Sequence, residues 1–76
     1  MKIRVLGGGC KRCEALLKAV REAVEKKGIE ANIEYITDME RIMNYGVMSM
    51  PALMIDDKIV SAGKVLKANE VERLLY

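Results

Sequence analysis

A chain of 76 residues with a net charge of +2 and 51% apolar content has room for one modest core and carries no concentrated basic face for nucleic acid. It has no Trp or Phe, so base stacking would fall to Tyr35, Tyr45 and Tyr76, scattered along the sequence. No apolar run reaches the roughly eighteen residues of a membrane span, and Met1-Lys2-Ile3-Arg4-Val5-Leu6 is too short and too charged for a secretory signal, so the expected place is the cytoplasm. Residues 1–76 are expected to form a single domain, because no linker, repeat or low-complexity stretch interrupts them.

Lys2, Ile3, Arg4 and Val5 alternate before Leu6, which predicts a first strand. Gly7-Gly8-Gly9 break it and free the backbone for a tight approach. From Lys11 to Lys27, Leu16, Leu17, Val20, Ala23 and Val24 recur at helical spacing. On the charged face, Glu14–Lys18 and Arg21–Glu25 are favourable pairs one turn apart. Lys26, Lys27 and Gly28 supply the stop. Ile29, Ala31, Ile33 and Tyr35 alternate with Glu30, Asn32 and Glu34, the pattern of a strand with one wet face at a sheet edge.

Thr37 or Asp38 caps a short second helix whose buried side is expected to be Met39, Ile42 and Met43, and Gly46 ends it. Ala52-Leu53-Met54-Ile55 is short and continuously apolar, as in a central strand covered on both faces. Asp56-Asp57 turn the chain into a hairpin partner from Lys58 to Ala62. A last helix begins near Lys67 or Ala68, with Val71, Leu74 and Leu75 as its apolar residues. The order β-α-β-α-β-β-α starts with a parallel, right-handed strand–helix–strand unit, to which the hairpin adds two antiparallel strands.

The two cysteines stand in Gly9-Cys10-Lys11-Arg12-Cys13, between the first strand and the first helix. In a reducing compartment such a pair is more often catalytic or metal-binding than structural. A disulfide across so short a loop contributes about 1.9 kcal/mol in the chain-entropy relation, against roughly 4.7 for a hundred-residue loop, so stability is a poor reason for it. Free N–H groups and the helix dipole favour a thiolate at Cys10, and Lys11 and Arg12 add positive charge. The thiolate is the attacking species in disulfide exchange. Cys13, on the same helical side and more shielded, can turn back to resolve a mixed disulfide. The pattern therefore predicts a thiol–disulfide oxidoreductase with Cys10 as nucleophile, Cys13 as resolving thiol, and Gly9, Lys11 and Arg12 in support. No metal is expected, since two cysteines and no histidine cannot close a tetrahedral zinc site in one chain. Pro51, the one proline, reads on its own as an ordinary strand-start residue, where its missing N–H goes unneeded.

A strand, Gly9-Cys10-Lys11-Arg12-Cys13 and a helix, then Met50-Pro51 before a hairpin and Gly63 after it, together resemble the thioredoxin and glutaredoxin superfamily. More narrowly, the whole chain is similar to the short prokaryotic thioredoxin-like redox-active disulfide proteins. The resemblance implies an α/β fold, thioredoxin-like βαβαββα, with a four-stranded mixed sheet and helices on both faces. It implies that Pro51 is cis and faces the disulfide, that the Met50 backbone pairs with an extended substrate strand, and that Gly63 leaves room for it. It implies protein disulfide substrates, a thioredoxin-reductase-like or dithiol electron donor, no cofactor beyond the Cys10–Cys13 disulfide, and a monomer.

The chain departs in several places from the families it resembles. Lys11-Arg12 replaces the Gly-Pro of thioredoxins and the Pro-Tyr of glutaredoxins, and no tryptophan precedes Cys10. The first strand carries Lys2 and Arg4 but no acid to help deprotonate the second cysteine. Ser61-Ala62-Gly63-Lys64 stands where glutaredoxins carry a Gly-Gly pair and an acid, which points away from glutathione.

Other chemistries have less support. Gly7-Gly8-Gly9 sits where a phosphate loop would, but Arg12 occupies the place of the third glycine of GxGxxG. Met48 and Met50, with Cys10 and Cys13, could form a soft Cu(I) site of a metal carrier. Small copper carriers instead resemble a β-α-β-β-α-β unit with Met two residues before the first Cys, where this chain has Gly8. Six methionines in a chain without Phe or Trp are expected mostly as core filling. A redox-sensing binding module is the third alternative. Hydrolysis lacks a His and any activating partner for Ser49 or Ser61.

Overall fold

Among the described residues seven elements follow one another: β1 (Lys2–Leu6), α1 (Lys11–Lys27), β2 (Asn32–Ile36), α2 (Met39–Asn44), β3 (Ala52–Ile55), β4 (Lys58–Ala62) and α3 (Ala68–Leu74). The computed structural model describes residues 1–9 and 11–75; Cys10 and Tyr76 lie outside the described residues. The strands form one four-stranded sheet in the order β2-β1-β3-β4. β1 runs parallel to β2, while β3 is antiparallel to both β1 and β4. This is the thioredoxin-like α/β architecture, with helices on both faces of a mixed sheet.

Strand alternation divides the apolar residues between those faces. Ile3, Val5, Leu53 and Ile55 turn to one side and join Leu16, Leu17, Val20 and Ala23 of α1 and Val71 of α3 in the larger core. Leu6, Ala52 and Met54 turn to the other and meet Ile36 and Ile42, with Tyr45 and Val47 packed alongside. β3 is buried throughout, as its unbroken apolar run predicts, and β2 lies at an edge. β2 opens at Asn32, not Ile29, because its first partner across the ladder is Lys2, the first residue of β1.

The helix ends follow local chemistry. The Asp38 carboxylate accepts from the Glu40 N–H at 3.0 Å and caps α2. At α3 the Glu70 carboxylate reaches back to the Lys67 N–H at 3.1 Å. Gly28 takes φ +63 after α1, where a side chain would be strained. Lys27, in the last turn of α1, donates to the Leu75 carbonyl and so fastens α1 to the end of α3.

The methionines overturn an expectation. Only Met54 is buried, while Met39, Met43 and Met48 are 48%, 71% and 95% exposed, and Met1 and Met50 are also open to solvent. α2 is too short to bury a full stripe. Ile42 is its one buried residue, and Tyr45 and Val47 cover the sheet beside it, leaving Met39 and Met43 outside. Among the described residues no helix is long and apolar enough to cross a membrane.

Candidate active site

The site is built on one row of the sheet. Leu6 of β1 pairs with Ala52 of β3, and Ala52 pairs with Ala62 of β4. The residues one step beyond those paired ends are Gly7, Pro51 and Gly63. Strand pairing therefore delivers the start of the CxxC segment, the proline and the late glycine to the same end of the sheet, although they are far apart in sequence.

Gly7 is buried, and its N–H donates to the Ile36 carbonyl at 3.0 Å, which continues the β1–β2 ladder past the last strand residue. A β-carbon on Gly7 would lie 2.3 Å from the Cys13 sulfur and 2.6 Å from its β-carbon. The first turn of α1 thus settles directly over the end of β1, and Cys13 is wholly buried there. Gly9, at φ +82, makes the turn that an L-residue would resist. Cys10, the expected nucleophile, lies outside the described residues.

Across the row, the Met50–Pro51 peptide is cis, with Pro51 buried and Met50 37% exposed. The Gly63 N–H donates to the Pro51 carbonyl at 2.9 Å, and Gly63 has φ +76. The nearest neighbour to a β-carbon on Gly63 would be Ser49, at 3.0 Å, so its bareness spares that loop. Arg12 Nη2 donates to the Gly63 carbonyl at 3.2 Å. The structure therefore joins Arg12, Gly63 and Pro51 in one chain of contacts, and Gly7 with Cys13 in another. Lys11 is exposed.

Charge is concentrated elsewhere. Arg4 sits in the middle of β1, on the α2 face, and bonds Asp57 at 2.6 Å and Glu34 at 3.3 Å. Its guanidinium stands 5.6 Å from the centre of the Tyr45 ring. The hydrogen bond from Arg4 holds the Asp57 carboxyl below the usual aspartate range. Arg41, which also reaches Glu34 at 3.4 Å, is raised chiefly by its hydrogen bond with Tyr45. Among the described residues no charged residue is buried.

Two of these features escape a reading of the sequence. The glycine run signals a bend but not the seating of Cys13 on Gly7. Nothing local signals that Arg12 meets Gly63.

The model of the thioredoxin domain family matches residues 1–76. A thioredoxin of Methanothermobacter thermautotrophicus is 37% identical over 75 residues, covering 99% of this chain and 97% of the relative. A thioredoxin of Methanocaldococcus jannaschii is 37% identical over 73 residues, covering 96% of this chain and 84% of that protein.

Proposed function

We propose, from the premise that the chain belongs to the thioredoxin domain family, that it exchanges electrons with protein disulfides through Cys10 and Cys13. Thiol–disulfide oxidoreduction is the general chemistry of that membership. The finer reading is carried by the complete burial of Cys13 in the first turn of α1. A sulfur without accessible surface cannot meet a protein substrate, so attack falls to Cys10.

The Cys10 thiolate attacks one sulfur of the substrate disulfide; a Cys10–substrate bond forms and the substrate's own S–S bond breaks. Cys13 then gives up its proton and attacks Cys10, closing the Cys10–Cys13 disulfide and releasing the second substrate thiol. Two electrons pass to the substrate. The departing substrate thiolate takes up the Cys13 proton. A thioredoxin-reductase-like protein or a dithiol restores the pair. Met50, Pro51 and Gly63 form the side against which an extended substrate segment lies. The protein works as a cytoplasmic monomer of one domain, without a cofactor beyond the cysteine pair.

The test is a redox titration of purified protein in defined dithiol/disulfide buffers with chelator present, read by alkylation and mass spectrometry. A reversible two-electron Cys10–Cys13 transition is the expected result. Failure to form that disulfide, with tight Cu(I) binding once chelator is withdrawn, would replace exchange by metal carriage.

A further inference from the structure

Two hydrogen bonds connect the first turn of α1 to the proline loop through a single glycine. Arg12 Nη2 donates to the Gly63 carbonyl at 3.2 Å, and the Gly63 N–H donates to the Pro51 carbonyl at 2.9 Å. Gly63 has little room to relocate: its φ is +76, and a β-carbon would stand 3.0 Å from that of Ser49. The Arg12 guanidinium is thus directed to a backbone carbonyl on the loop after β4.

We propose that Arg12 is a positioning residue for disulfide exchange. It holds the loop after β4, and through Gly63 the Pro51 carbonyl, at a fixed station relative to the cysteine helix, so that a docked protein disulfide meets Cys10 in register. The role rests on the exchange chemistry proposed above. It differs from the part its charge alone assigns it, that of a cation stabilising the Cys10 thiolate. A positioning residue affects substrates that dock along the loop. A thiolate-stabilising cation affects every disulfide, large or small.

The two roles separate in Arg12→Met, which keeps the aliphatic stem and removes both charge and donors. With insulin as the protein disulfide, KM is expected to rise about fivefold at unchanged kcat, the size of one lost hydrogen bond. Any loss with a small aromatic disulfide, which reads only the Arg12 charge near the Cys10 thiol, should be smaller than the loss with insulin, and Arg12→Lys should restore KM. Amide hydrogen exchange on the native variant gives a readout independent of activity, with the Gly63 N–H expected to exchange faster. An unchanged KM, or an unchanged Gly63 amide, overturns the positioning role. An equal loss with insulin and with the small disulfide, with a raised thiol titration, assigns Arg12 to the thiolate instead. Wild-type protein that reduces neither substrate overturns the exchange reading itself, and this role with it.

Discussion

Gly7 and Cys13 approach so closely that a β-carbon on the glycine would sit 2.3 Å from the cysteine sulfur. The end of β1 is therefore the floor on which the buried thiol rests, and any side chain there must displace α1 or the sulfur. Gly7→Ala is expected to cost about 1–3 kcal/mol, the usual range for overpacking a filled core. Urea denaturation measures the loss. Alkylation of the native reduced variant should also reach Cys13 faster than in the wild type; an equally protected Cys13 and an unchanged midpoint would mean that the chain adjusts without disturbing the site.

The unequal roles proposed for the two cysteines have a direct chemical signature. Cys13→Ser should accumulate a covalent adduct between Cys10 and a protein disulfide substrate, because the resolving thiol is gone. Cys10→Ser should form no adduct, since the remaining sulfur is wholly buried. Non-reducing electrophoresis distinguishes the two, and adducts in the reverse pattern would exchange the assignments.

α2 is anchored through Ile42, its one buried residue, and not through its methionines. Ile42→Ala should lower stability by about 2–4 kcal/mol, as large-to-small core substitutions do. Met43→Ala, at a side chain 71% exposed, should remain within about 0.5 kcal/mol of the wild type. Denaturant midpoints of the two variants decide whether the exposed face of α2 contributes to the core.

Asp57 makes acid stability dependent on Arg4. Its folded-state carboxyl titrates below the ordinary range because Arg4 hydrogen-bonds to it. A group lowered in this way stabilises the fold above its unfolded pKa, and the contribution is lost as pH falls through the folded one. Wild type should therefore melt at a higher temperature than Asp57→Asn near neutrality, and the two curves should converge in acid. The margin is small because Asp57 is exposed to solvent. Asn tolerates the left-handed backbone at this position, φ +68, so the comparison isolates charge. A difference that persists unchanged into strong acid would remove Arg4 pairing as its cause.

The long helix α1 was legible from Lys11 to Lys27 because its apolar period, its cations and Gly28 all agree. The order of elements and the buried β3 were legible for similar reasons. Methionine burial was not, since a six-residue helix offers too short a stripe to identify which residue faces inward. At the site, the cysteine spacing and the proline were visible in the sequence. The contact of Gly7 with Cys13 and the bond from Arg12 to Gly63 depend on how the finished sheet brings distant segments together, and no local pattern encodes either one.

The sheet separates two apolar interiors of unequal size, and the candidate site has one foot in each. Cys13 is moored through α1 in the larger interior, which α3 helps to close. The segment running into Pro51 leaves α2, on the side where far fewer apolar residues are gathered. Opening fluctuations cost least where least apolar surface is buried. On the exchange proposed above, compliance then belongs to the proline side, while the Cys13 thiol stays behind a stiff wall. Adaptability toward partners and protection of the second sulfur become two results of one lopsided partition of the interior.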